Sequence, residues 1–175
     1  ADIAIGNADL ALQRMTEGFP EIAGSNPEPL TIWETSVAFE VVRLYRHAGN
    51  DEKADALLDE LIAVLEAAPI VGPTGSAAEL PAAYMLAGRE ADALAALRKA
   101  VDAGWRVGWR YQLDHHWAFE PLRDDPAFQS MRMELAADME KQLENVRRMQ
   151  ASGELPVVPG MEPVRQPEQA GPPPI

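Results

Sequence analysis

The sequence predicts an all-α protein in which antiparallel pairs of helices repeat along the chain. The clearest pair lies in residues 77–104, where Gly88 separates two short segments whose apolar residues recur at helical spacing. Three positions of this pair recur upstream: the turn glycine, an alanine five residues later and an apolar residue nine residues later. They are Gly6, Ala11 and Met15 in the first copy, Gly49, Ala54 and Leu58 in the second, and Gly88, Ala93 and Leu97 in the third. This recurrence indicates a repeat protein.

Length, charge and cysteine content limit the class of protein. A chain of 175 residues can form one domain with an apolar core. The formal net charge of -13 disfavours nucleic acid as a partner, because phosphate groups would be repelled. The absence of cysteine excludes disulfides, thiolate metal sites and thiol nucleophiles. No apolar run approaches the ~20 residues that cross a bilayer, so membrane insertion is not expected.

The N-terminal part of the sequence predicts a helix, a loop and then two further helices. They are a helix over residues 7–17, a loop over 20–29, a helix over about 31–48 and a helix over about 51–68. Asn50 is expected to cap the third helix. The first helix has no partner helix before it, and the N-terminus carries neither a basic region nor an initiator Met. We therefore expect the chain to be a fragment of a longer protein.

The remaining elements lead to a long helix and a proline-rich end. They are a loop over residues 70–75, the pair over 77–104, an irregular segment or short helix over 105–119, a helix over about 126–152 and a tail over 153–175. Pro81 is expected to kink the first helix of the pair or delay its start, because proline removes a helical hydrogen bond. Asp125 caps the long helix and Pro126 opens it. The sequence thus predicts a helical repeat domain over residues 1–152 and an extended tail of polyproline II character.

Two sets of residues give the pairs a resemblance to tetratricopeptide repeats. They are Tyr45, Gly49, Ala54 and Leu58 in one pair, and Tyr84, Gly88, Ala93, Leu97 and Ala100 in the next. Residues 104–106, 114–116 and 121–128 look like the C-terminal end of the repeat arrays of multidomain bacterial proteins, where the array follows a winged-helix regulator or a nucleotide cyclase. The turn glycines are 43 and 39 residues apart, against ~34 in the family, so loops are inserted between the pairs.

The resemblance implies a fold and a role. The fold would be a right-handed superhelical array of antiparallel helical pairs with a long C-terminal capping helix, and Ala54 and Ala93 would be buried where helices cross. The role would be a protein-interaction scaffold, the docking or sensing portion of a larger bacterial protein, with a protein or peptide partner and no cofactor. It implies no catalytic activity, and the sequence contains no phosphate loop and no nucleophile elbow. The chain could serve in the bacterial cytoplasm or the periplasm.

A concave groove is the first candidate binding surface, because the first helices of stacked pairs would line its wall. Its candidate residues are Phe39, Arg43, Arg46, Ala82 and Met85. Arg43 and Arg46 can clamp a carboxylate, since a guanidinium offers a planar fork of donors. Alternatively, they pair with Glu40 or another surface acid.

An aromatic and basic patch is the second candidate surface. It consists of Trp105, Arg106, Trp109 and Arg110. Aromatic faces and guanidinium groups together hold peptides or planar rings, so residues 105–119 support an alternative function as a small-molecule or peptide sensor. In the other interpretation, the tryptophans cover the apolar end of the last repeat. His115 and His116 are adjacent, and adjacent histidines rarely converge on one ion, so no metal site is expected.

Two further possibilities stay open at the level of sequence. A hydrolytic or transferase enzyme would require His115 or His116 to meet a carboxylate and a nucleophile in a cleft. A homodimer through the long helix or the tail would place Leu143, Val146 and Met149 against a second copy of the chain.

Overall fold

The computed structural model describes residues 7–24, 28–68 and 77–155, and these residues confirm the all-α prediction. They form α-helices and one 3-10 helix, and no strand occurs among them. The α-helices are α1 (Ala8–Gly18), α2 (Pro20–Ala23), α3 (Thr35–His47), α4 (Asp51–Ala67), α5 (Glu79–Leu86), α6 (Glu90–Asp102), α7 (Trp109–His115) and α8 (Pro126–Ser152). The 3-10 helix, Trp117–Leu122, lies between α7 and α8.

Two tight turns build the central helical pairs. Gly49 and Gly88 have positive φ angles of 71° and 70°, a conformation that glycine adopts without steric cost. The amide that follows each glycine donates to the carbonyl of the tyrosine four residues before that glycine, at 2.8 Å in both turns. This is the Schellman pattern that ends a helix. As a result α3 packs against α4, α5 packs against α6, and α4 also contacts α5.

The small residues predicted at the helix crossings are buried. Ala54 and Ala93 are each 0 % exposed, which confirms their expected burial. Large apolar side chains surround them in the core, which includes Leu58, Leu61, Leu97, Phe119 and Phe128. An alanine at such a point lets two helix backbones approach closely, so a larger side chain there would overpack the core.

Two local predictions were wrong, and the Asn50 cap was correct in position only. The helix α5 begins before Pro81, because the first turn of a helix has no intrahelical acceptor for its amides and therefore tolerates proline. The loop expected over residues 20–29 contains the helical turn α2, which Pro20 opens. Asn50 occupies the cap position of α4, but its side chain makes no capping hydrogen bond.

The start of the long helix was predicted correctly. The Asp125 carboxylate accepts hydrogen bonds from the amides of Ala127 and Phe128 at 2.8 and 2.9 Å, and α8 begins at Pro126 and ends at Ser152. The segment expected to be irregular or to contain a short helix forms α7 and part of the 3-10 helix. The predicted loop over residues 70–75 and the tail beyond residue 155 lie outside the described residues.

The chain divides into two compact units, Ala1–Leu135 and Ala136–Ile175. The first contains α1 to α7, the 3-10 helix and the first ten residues of α8. The second contains the remainder of α8. Among the helices that the structure describes, none combines the length and the apolar character needed to cross a membrane.

Candidate functional site

One side of α3 is open, whereas the rest of the helix is packed in the core. Seven of its residues are buried, among them Val41, Val42 and Tyr45. Of the six residues that remain partly or fully exposed, all but Val37 and Arg46 follow a spacing of three or four, which places them on one side of the helix. Together with the tryptophan that precedes the helix, they form a surface that we call the α3 face: Trp33, Ser36, Glu40, Arg43 and His47.

Trp33 is the most exposed large apolar side chain among the residues that the structure describes. It is 91 % exposed and lies in the turn that leads into α3. The Thr31 amide and hydroxyl both donate to the Glu34 carboxylate, at 2.8 and 2.5 Å, and these bonds close the turn around the indole and lower the pKa of Glu34. The Thr35 hydroxyl donates to the Glu79 carboxylate at 3.0 Å and so connects the start of α3 to α5. The exposed indole is thus held on a hydrogen-bonded turn.

Arg43 connects the α3 face to the 3-10 helix. Its Nη1 donates to both carboxylate oxygens of Glu40, at 3.0 and 2.9 Å. Its guanidinium carbon lies 4.4 Å from the centroid of the Trp117 ring, which is cation–π geometry. The Arg43 charge is therefore balanced by an acid on its own helix and stacked on an aromatic ring from another element. The sequence left two roles open for Arg43, a carboxylate clamp and pairing with Glu40. The second of these is the pairing observed here.

His116 lies beside Trp117, the residue whose ring contacts Arg43. Its ring stacks on Trp117 with centroids 5.3 Å apart and lies 5.4 Å from the Phe119 ring. Its Nδ1 accepts a hydrogen bond from the Ala118 amide at 3.3 Å, which caps the 3-10 helix. Burial lowers the pKa of His116, the positive charge of Arg43 lowers it further, and Glu40 opposes both effects. The imidazole is therefore neutral near pH 7.

The other residues proposed for the groove do not form one open wall. Phe39 and Ala82 are only 8 % and 1 % exposed, so their side chains belong to the core and are not available to a partner. Met85 is half-buried in α5. Arg46 pairs with Asp55 of α4 at 3.0 Å. Of the five candidates, Arg43 alone lies on the α3 face.

The residues of the aromatic and basic patch are divided between core and surface. Trp105 and Trp109 are buried, at 2 % and 7 % exposed. Arg106 donates to the carbonyls of Val101 and Trp105, and Arg110 lies with its guanidinium carbon 5.4 Å from the centroid of the Trp109 ring. These contacts stabilise the fold locally and leave no indole of this pair open to a ligand.

The remaining polar groups of the same region are also engaged. Arg132 of α8 donates to the Asp114 carboxylate at 2.6 Å and holds the pKa of that carboxyl below its ordinary value. The His115 ring lies 5.8 Å from the Tyr111 ring. Within the described ranges, no three His, Asp or Glu side chains converge in a way that could hold a metal ion.

A cavity of about 200 Å³ lies between α2, α3 and α4. Its lining includes Ile22, Leu30, Tyr45, Lys53, Leu57 and Glu60. The Leu30 amide donates to Glu60 at 2.6 Å and the Tyr45 hydroxyl donates to the Ala23 carbonyl at 3.1 Å, so the Glu60 and Tyr45 side chains already have partners. The cavity also borders Gly24 and Glu28, which flank the undescribed residues 25–27. We assign no ligand to it.

No family model, curated protein or solved structure matches this chain. The choice of a functional surface therefore depends on the geometry of the chain itself, and the α3 face is the surface that this geometry favours.

Sequence reasoning placed Arg43 at a binding surface but missed Trp33. The buried stripe of α3 contains Thr35, Ala38 and Val42, and extending that stripe toward the N-terminus does not reach position 33. A tryptophan outside an apolar stripe and directly before a helix was the available signal.

Proposed function

We propose that this chain is a protein-interaction scaffold of tetratricopeptide type, the docking or sensing portion of a larger bacterial protein. In this role the α3 face binds a peptide segment of a protein partner. The role is a binding role, and we assign the chain no catalytic step.

The arrangement of the helices supports a repeat-type scaffold. Two helical pairs with the same glycine turn follow one another, and the second helix of one pair contacts the first helix of the next. A single helical pair cannot bury its apolar face alone, so neighbouring pairs of a solenoid stack on one another. Contact between α4 and α5 is the contact that such stacking requires.

The 91 % exposure of Trp33 is the observation that carries the assignment of the docking surface. An exposed indole leaves a large apolar area in water, and burying it against a partner recovers free energy at little cost in side-chain entropy. Tryptophan and arginine are also the residues most enriched at interface hot spots. The α3 face presents both, because Arg43 lies on the same side of the helix.

Charge indicates the chemistry of the partner segment. The net charge of the chain is -13, and on the α3 face Glu40 already neutralises Arg43. A segment with an apolar anchor for Trp33 and flanking basic residues would be attracted to this surface, because complementary potentials accelerate association. An acidic segment would be repelled.

The test compares Trp33→Ala with Tyr111→Ala, a matched control at another exposed aromatic. Tyr111 is 67 % exposed in α7, so both changes remove an exposed ring and should leave the melting temperature nearly unchanged. A partner would first be captured with the wild-type chain and then purified, and its Kd measured for all three proteins by calorimetry. Loss of a hot-spot tryptophan costs about 2 kcal/mol or more, so Trp33→Ala should weaken binding roughly 30-fold.

Tyr111→Ala should change the Kd by less than roughly twofold. Equal affinity of the wild type and Trp33→Ala would refute the α3 face as the docking surface. Equal loss of affinity in both variants would also refute it, because the effect would then not be specific to Trp33.

A further inference from the structure

The second unit carries an exposed apolar stripe. In the part of α8 that begins at Ala136, Met139, Leu143 and Val146 are 36 %, 48 % and 42 % exposed. Their spacing of four and then three residues places them on one side of the helix, as in the core positions of a coiled coil. These side chains form the stripe face: Met139, Leu143 and Val146.

The charges on this segment are balanced and polarised. Asp138, Glu140 and Glu144 lie toward its N-terminal side, whereas Lys141, Arg147 and Arg148 are displaced toward its C-terminal side. Three acids and three bases cancel, although the whole chain has a net charge of -13. Charge repulsion between copies of this segment is therefore small.

We propose that residues 136–152 pair in antiparallel orientation with the same residues of a second copy of the chain. A two-fold axis near residue 144 brings the stripe faces together, because the contact is then isologous. The same axis places Glu140 beside the partner subunit's Arg147, and Arg147 beside the partner subunit's Glu140. Parallel pairing would instead place the acidic ends together and the basic ends together.

The interface is short, so its affinity should be low. Seventeen residues of helix span ~25 Å, and three apolar side chains bury less area than a stable dimer interface requires. We expect a Kd on the order of 10 μM. A dimer would present two α3 faces to a multivalent partner and raise avidity. The pairing itself does not depend on the proposed docking function.

The first experiment measures the mass of the full chain by light scattering or sedimentation, from about 1 to 500 μM, a range chosen around the expected Kd. The wild type should shift from monomer to dimer, and Leu143→Glu should remain monomeric because it places a charge in the stripe face. Ala137→Glu is the matched control: Ala137 is exposed on the opposite side of the same helix, so this variant should dimerise like the wild type. A wild type that is monomeric throughout, or equal dimer loss in both variants, would overturn the pairing.

The second experiment tests orientation by exchanging charges. Glu140→Arg and Arg147→Glu should each weaken dimerisation roughly three- to tenfold, because each places like charges together twice per dimer. The double variant should return to within about twofold of the wild type, since both pairs are then restored in reverse. Far-UV circular dichroism of each variant reports whether the helix persists. Antiparallel pairing would be contradicted if the single variants dimerised like the wild type, or if the double variant dimerised more weakly than either single variant.

Discussion

His116 is the titratable side chain on which the contact between α3 and the 3-10 helix depends. Its neutral imidazole accepts a hydrogen bond from the Ala118 amide and stacks on Trp117. The Trp117 ring in turn contacts the Arg43 guanidinium. A protonated His116 would lose its acceptor at Nδ1 and would place a second positive charge beside Arg43. Burial is the main reason why the pKa of His116 is lowered from the ordinary value of 6.5; the charge of Arg43 lowers it further, and Glu40 opposes both effects.

The lowered pKa of His116 predicts that stability decreases on the acid side of neutrality. The unfolded chain binds the proton near pH 6.5 and the folded chain binds it only at lower pH, so the contribution is complete above pH 6.5 and is lost as the pH falls toward the folded-state pKa. His116→Asn removes the titration and keeps an acceptor for the Ala118 amide. Urea unfolding from about pH 7.5 to 5 should show the free energy of unfolding of the wild type falling relative to the variant by at most about 1.4 kcal/mol per pH unit.

All other side chains are the same in the two proteins, so the comparison isolates residue 116. A free-energy difference between wild type and variant that stays constant over this pH range would show that His116 has the same pKa in the folded and unfolded chain.

At the scale of elements, the helical pair α5 and α6 depends on small residues at its contact. Ala93 is 0 % exposed, and the core on either side of it is closely packed. Ala93→Leu inserts three carbon atoms at this point and should lower the free energy of unfolding by about 1 to 3 kcal/mol, because overpacking forces the surrounding side chains and backbone to shift.

Ala91→Leu, two residues earlier in the same helix, provides the control. Ala91 is exposed, and leucine is nearly as good a helix former as alanine, so this change should alter stability by less than about 0.5 kcal/mol. Chemical denaturation of both variants gives the comparison. If Ala93→Leu were as stable as Ala91→Leu, the helices would not be in close contact at this alanine.

Elements were largely predictable from sequence, because their signals are local. Glycine turns, apolar periodicity and the Asp125 cap each involve residues within a few positions of one another, and they gave the central helices and the start of α8 to within a few residues. Pro81 was misjudged because its effect depends on its position within the helix, and that position follows from where α5 begins.

The candidate site was less predictable, because its contacts join distant parts of the chain. The 3-10 helix packs on α5 and α7, and this arrangement brings Trp117 to Arg43, a contact between distant positions that no local pattern encodes. The burial of Phe39 and of Trp105 likewise depends on neighbours from other helices. Helical position suggested Phe39 as a binding residue and residue type suggested Trp105, although both are buried in the core.

At the scale of the whole molecule, function depends on what an acidic chain leaves exposed. The net charge of -13 disfavours contact between copies and binding of anionic partners. On the α3 face and on the stripe face, exposed apolar side chains occur beside balanced charges. We propose the first as a site for a different protein and the second as a site for another copy of this chain.

The most direct test of the docking function is hydrogen–deuterium exchange of the full chain with and without the captured partner. Binding at the α3 face stabilises the turn and helix over residues 31–47, and the contact through Arg43 and Trp117 extends that effect to residues 116–122. Peptides from these two segments should exchange more slowly in the complex. Unchanged exchange in both segments, with protection confined to other helices, would contradict the assignment of the α3 face as the docking surface.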